Sequence, residues 1–125
     1  MSLSINSAAA EFLDELPDKD KNDMNVLLDC VRNTGIPCEA RYYQKIIMIV
    51  RDGVEIIGIS PRKSYLSLYL MNLEAKKFLP ALGKVNDGRG CVRIKKISDI
   101  DLKVLTEMLA FMLEAKVNWY GNVIK

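Results

Sequence analysis

The sequence predicts an α+β fold: an antiparallel sheet of four or five strands with helices packed on one face, in the order ααβββαβα. Three observations lead there. Residues 65–71 alternate strictly, with Leu66, Leu68 and Leu70 on one side and Tyr65, Ser67 and Tyr69 on the other, the period of a half-buried strand. Asp52-Gly53 separates two runs rich in β-branched residues, and Asp-Gly supplies the positive φ angles that a tight hairpin turn needs. The helical segments come before and after the strands rather than between each pair, so the sheet is not of the doubly wound parallel kind.

Taken in order, residues 1–6 carry no pattern and are read as a disordered N-terminus, with residues 7–125 forming a single domain. Ser7 can cap a short helix whose buried side is Phe12, Leu13 and Leu16. Pro17 ends it and suits the first turn of a second helix, where its missing N–H costs nothing. That second helix runs over residues 18–33, with Met24, Leu27, Leu28 and Val31 on one face and Thr34-Gly35 as its stop. Residues 41–50 form the first strand and residues 54–59 the return strand. Both are apolar on both sides, which places them centrally or under a partner. After the third strand, Asn72 caps a helix that Pro80 stops or kinks. A glycine-bearing loop leads to a fourth strand over residues 90–97, with Val92 and Ile94 inward and Cys91, Arg93 and Lys95 outward. Ser98-x-x-Asp101 resembles a capping box for a last helix carrying Leu102, Leu105, Leu109, Met112 and Leu113 on one side.

Half of the 125 residues are apolar and 27% are charged, an ordinary globular composition. No apolar run is long enough to span a bilayer, and no basic-then-apolar leader opens the chain. Three cysteines at scattered spacings (Cys30, Cys38, Cys91) fit reduced thiols in a cytoplasm better than a disulfide framework. The chain has no histidine, which removes Ser-His and Cys-His nucleophile pairs and the commonest transition-metal ligand. Cys-x-x-Cys and both glycine-rich phosphate loops are missing as well. With no pair of acids set beside a nucleophile, the protein reads as non-enzymatic.

Net charge is only +2, but the charges are segregated. Residues 1–31 hold seven acids against Lys19 and Lys21; residues 60–97 hold nine bases against Glu74 and Asp87. On the polar side of the third and fourth strands, Tyr65, Tyr69, Arg93 and Lys95 should project together. Arg62, Lys63, Lys84 and Arg89 would join them from the adjoining loops. Such a surface suits a small anion, and less readily a single strand of nucleic acid held by stacking plus charge. A solvated sheet face guarded by cations is the plainer account of the same residues. Arg89 and Arg93 flank Cys91, the setting of a reactive thiol, but a packed core residue is the simpler reading when no histidine or resolving cysteine accompanies it. Trp119 and Tyr120, together with the apolar hairpin, are the residues a homodimer would use.

Ile59-Ser60-Pro61-Arg62-Lys63 and Leu66-Ser67-Leu68-Tyr69-Leu70-Met71 resemble the YdhG-like domain family. The likeness resumes at Leu82-Gly83-Lys84, Gly88, Gly90-Cys91, Ile94-Lys95 and Ser98-Asp99-Ile100-Asp101-Leu102, and includes the early Phe12-Leu13 and Leu16-Pro17. Most of that family is classed as a domain of unknown function. The resemblance implies an α+β domain similar to frataxin, with some bacterial relatives regarded as intracellular iron chaperones. It therefore implies iron as a ligand, held by surface carboxylates, and Glu11, Asp14, Glu15 and Asp18 are the candidates for metal binding. A solvated acidic face is the commoner meaning of such a cluster. Many relatives carry a Gly-Met-Pro turn before the first strand; here Ile36-Pro37-Cys38 stands in its place. The resemblance implies no catalytic residues.

Overall fold

The computed structural model describes residues 3–88 and 91–115. Its strands are β1 (Leu3–Ile5), β2 (Cys38–Tyr43), β3 (Ile46–Arg51), β4 (Val54–Pro61), β5 (Leu66–Leu70), β6 (Asn86–Asp87) and β7 (Cys91–Ile94). They lie in the order β1-β2-β3-β4-β5-β7-β6. β1 pairs parallel with β2 and every other pairing is antiparallel. The helices are α1 (Ser7–Asp14), α2 (Asp18–Asn33), the short α3 (Leu79–Leu82) and α4 (Leu102–Ala115), with 3₁₀ turns at Leu73–Phe78 and Ile97–Asp99.

The mainly antiparallel α+β architecture is as expected, and the hairpin strands β3 and β4 are central. The observed order differs in three places. Residues 3–5 are not disordered: they add an edge strand, with Leu3 5% exposed in the core. A two-residue strand β6 pairs with β7, and Lys76 holds it through an ion pair to Asp87 at 2.9 Å. The expected strand over residues 41–50 is two strands, because the chain reverses at Gln44 (φ +46°) and Lys45 (φ +66°). Neither residue favours positive φ, so no turn signal marks the place; the left-handed region costs an ordinary residue about 1–2 kcal/mol. The reversal is held from outside, since the fully buried Ser60 hydroxyl donates to the Lys45 carbonyl at 2.9 Å.

The helices cover one face of the sheet. Ile47 and Ile49 of β3, Ile57 and Ile59 of β4, Leu66, Leu68 and Leu70 of β5, and Val92 and Ile94 of β7 meet Met24, Leu27 and Leu28 of α2 and Leu105, Leu109 and Met112 of α4 in a single core. Each such fully buried side chain contributes roughly 1.5–3 kcal/mol, so this face supplies most of the stability. The opposite face carries a small separate cluster of Met48, Val50 and Met71, with Ile46 and Tyr69 against it. A bulge sets its composition. Ile49 pairs with Ile57 but Val50 pairs with Glu55, leaving Ile56 as the extra residue, turned to the core beside Ile57. Alternation resumes one residue out of phase, which places Glu55 on the uncovered side.

Caps differ from expectation by one or a few residues. Asn6, not Ser7, caps α1 by accepting from the Ala9 N–H. Asp101 itself caps α4, accepting from the Lys103 and Val104 N–H groups at 2.9 and 3.3 Å, while Ser98 lies in the preceding 3₁₀ turn. Asn72 caps as expected, but over a 3₁₀ turn. Replacing Asp101 by Ala should cost about 1 kcal/mol of unfolding free energy, read from the denaturant midpoint at unchanged slope; Ser98→Ala should cost a few tenths at most.

Candidate functional site

The face left uncovered by the described residues is where the polar residues of β5 and β7 come together. Tyr69 pairs with Cys91 and Ser67 with Arg93, so the two strands are neighbours, and their leucines, Val92 and Ile94 turn inward while the tyrosines turn outward. Tyr65 and Tyr69 are both half-buried. The Arg62 guanidinium donates to the Tyr69 hydroxyl at 2.8 Å, and Arg93 lies over the Tyr65 ring at 5.0 Å, a cation–π distance. Backbone geometry fixes Arg62 as well, since its N–H donates to the Tyr65 carbonyl at 2.8 Å. The Tyr69 hydroxyl pushes the Arg62 pKa still higher, so its charge is permanent. Neither Arg62 nor Arg93 has a carboxylate partner among the described residues.

Beneath these cations lie the buried hydroxyls of Ser60 and Ser67, the latter accepting a hydrogen bond from the Cys91 thiol at 3.6 Å. Beside them the face becomes apolar. A groove of about 580 Å³ is lined by Tyr43, Ile46, Met48, Glu55, Tyr69 and Met71. Beneath three of these side chains lies the buried Gly58, which pairs with Met48 on one side and Tyr69 on the other. A Cβ at Gly58 would lie 2.9 Å from Ile46 Cγ2, 3.3 Å from Tyr69 Cδ2 and 3.4 Å from Met48 Cε, so the missing side chain lets these three close over the sheet. Tyr69 therefore serves two regions: its ring walls the groove and its hydroxyl holds Arg62.

Of the expected anion-binding set, Arg62, Tyr65, Tyr69 and Arg93 share this face. Lys63, Lys84 and Lys95 are exposed, and their side chains make no hydrogen bond or ion pair among the described residues. Arg89 lies outside the described residues, as do Trp119 and Tyr120. The core-facing isoleucines of the apolar hairpin, Ile47, Ile49, Ile57 and Ile59, are sealed beneath the helices and so are closed to a partner. The carboxylates do not form the expected cluster. Glu11, Asp14, Glu15 and Asp18 are all exposed on α1, its C-cap and the start of α2, and no three of the described His, Cys, Asp or Glu residues stand close enough to hold a metal ion. No helix among the described residues is long and apolar enough to cross a membrane.

Sequence reasoning put Arg62, Tyr65, Tyr69 and Arg93 on one face, where they lie, and missed the groove. The signal that would have revealed it is Gly58 in the middle of a strand, which marks a close approach of neighbours.

Comparison with family profiles and with curated protein sequences gives no match. Among solved structures, the crystal structure of YdhG, a DUF1801-family protein from Bacillus subtilis, superposes with a TM-score of 0.63, covering 82% of this chain and 85% of that one. The chain has the fold of YdhG. At 19% identity the likeness to YdhG carries the architecture and no residue roles.

The thiols are set differently by burial. Desolvation pushes Cys30 above its ordinary value of 9.0, against an opposing hydrogen bond with Thr106, and Cys38 likewise, against the charge of Arg51. Both groups hold their protons longer folded than unfolded, so the stability they contribute is complete below pH 9.0 and is lost as pH rises through their folded values. Iodoacetamide labelling of Cys30 in the native protein should show a midpoint above that of the urea-unfolded chain; equal midpoints would contradict this.

Proposed function

We propose that this is a binding domain that takes a small anion on the uncovered sheet face, with Arg62 and Arg93 as its charges. The observation that carries the reading is the Arg62–Tyr69 contact at 2.8 Å. A permanent cation is held in one orientation by a neutral phenol, and no carboxylate occupies it. A guanidinium has five N–H donors in a planar fork; Tyr69 uses one, and the rest remain available to a carboxylate or phosphate. Arg93, stacked on Tyr65, is restrained in the same way and stands two strands across from Arg62. Restraint before binding lowers the entropy lost on binding.

An iron-carrying role would require oxygen ligands that converge, and the four acidic candidates stand apart on exposed helix surface; iron is accordingly the weaker reading. Single-stranded nucleic acid would call on stacking platforms along a basic track. The tyrosine rings are instead engaged, one beneath Arg93 and one as a groove wall, which favours a compact anion.

Isothermal titration with phosphate, sulfate, acetate and a labelled oligonucleotide, at low and moderate salt, tests the reading. Arg62→Met or Arg93→Met should weaken binding of the preferred small anion about ten- to a hundredfold each, as expected for a charge-assisted hydrogen bond of about 1.5–3 kcal/mol. Tyr69→Phe should weaken it less, by releasing Arg62 without removing its charge. Flat curves for every anion would overturn the proposal, and a saturable oligonucleotide signal with none for small anions would replace it.

A further inference from the structure

The cationic pair and the groove are parts of one surface, joined through Tyr69, and the groove constrains what accompanies the anionic group. We infer that the ligand is a single-chain amphiphilic carboxylate of about ten to twelve carbons, its head at Arg62 and its chain in the groove between Ile46, Met48 and Met71. The inference rests on the anion-binding reading and adds the chemistry of the rest of the ligand.

Four observations carry it. The walls beyond Tyr69 are Ile46, Met48 and Met71, a surface that gains nothing from a bare inorganic anion. Methionines in particular give unbranched, adaptable walls suited to a flexible chain. The volume, about 580 Å³, lies within the usual span of small-molecule sites, about 300–1,000 Å³.

Charge fixes the direction. Glu55 lines one part of the groove and Tyr69 another, and Tyr69 carries Arg62 on its hydroxyl. An anionic head is therefore favoured at the Arg62 end and opposed at the Glu55 end. With Ile56 bulged out, the step from Glu55 to Ser60 advances about four strand residues, roughly 13 Å, about the length of an extended chain of ten to twelve carbons. The exposed Glu55 carboxylate stays hydrated at the rim, so the chain terminus meets it without burying its charge.

Titration of the full chain with a series of straight-chain carboxylates, below their micelle concentrations, tests this without any variant. Affinity should rise from hexanoate to dodecanoate by about two- to fourfold per methylene, fourfold being full burial of each CH₂. Dodecanedioate should bind at least tenfold more weakly than dodecanoate, because its second carboxylate meets Glu55. Decanol and decyltrimethylammonium should both bind more weakly than decanoate. Labelled methionine methyls locate the chain: Met48 and Met71 should shift with decanoate and not with phosphate. Met48→Gln should flatten the chain-length dependence while leaving phosphate affinity unchanged, with thermal unfolding confirming that the variant is folded.

Equal affinity for hexanoate and dodecanoate, with phosphate binding intact, would overturn this inference and leave the anion reading standing; loss of all anion binding would remove both. Decanol binding as tightly as decanoate would overturn the assignment of the head to Arg62. Methionine shifts that follow protein concentration rather than decanoate would give the groove to a second copy of the chain, and capture only by anionic vesicles would give the face to a bilayer; either result overturns the proposal.

Discussion

The register between β4 and β5 is the constraint on which the rest of the molecule depends. Ile57 faces Leu70 and Ile59 faces Leu68 across that pairing, which buries four large apolar side chains beneath the helices. Side chains alternate with a period of two, so a slip of one residue would bring Ser67 and Tyr69 into the core and push the leucines into water. Losing the burial of even three such residues would cost several kcal/mol, comparable with the whole net stability of a small domain. The outward direction of Tyr69 is thus secured by energy spent on the other face. The same register seats Gly58 between Met48 and Tyr69, and so decides where the groove can form.

Dividing the labour between faces explains why the uncovered side tolerates local strain. The Gln44–Lys45 reversal holds two ordinary residues at positive φ, yet Tyr43 and Ile46, which flank it, line the groove. The turn is anchored by Ser60, whose buried hydroxyl would otherwise lack a partner. The anchor and the strained turn stabilise each other across the β3–β4 pairing. The bulge at Ile56 is similar in kind: one unpaired residue turns two consecutive isoleucines into the core and brings Glu55 out to the groove's rim. Strain and irregularity gather around the groove, while the helix-facing side stays regular.

Much of this was legible in the residues. The alternation of Leu66, Leu68 and Leu70 against Tyr65, Ser67 and Tyr69 specified both faces of β5, and Asp52-Gly53 specified the central hairpin. Arg62 and Arg93 could be placed with the tyrosines because one stands in the loop that leads into β5 and the other sits on an outward position of a neighbouring strand. What could not be read were features set by tertiary contact. Gln44-Lys45 carries no turn propensity, since its conformation depends on a hydroxyl fifteen residues away. Residues 3–5 are too short to show a period and become a strand only because β2 offers an open edge. The run 54–59 looked apolar on both sides, and a bulge was one of several ways to satisfy that pattern. Glu11, Asp14, Glu15 and Asp18 lie close along the chain, but the end of α1 and Pro17 fall among them and all four are exposed.

A sheet face that is merely solvated would present its cations to water and pair them with acids along the surface, as Arg41 does with Glu39 on β2 at 2.9 Å. Arg62 and Arg93 depart from that pattern in the same way: each is restrained by an aromatic side chain and neither is neutralised. Restraining a long side chain gives up roughly 2 kcal/mol of rotamer freedom, and the phenol hydrogen bond and the ring contact offset part of that cost before any ligand arrives. A guanidinium already oriented would lose less freedom on meeting an anion, and an adjoining apolar wall would add affinity that charge alone could not supply at physiological salt.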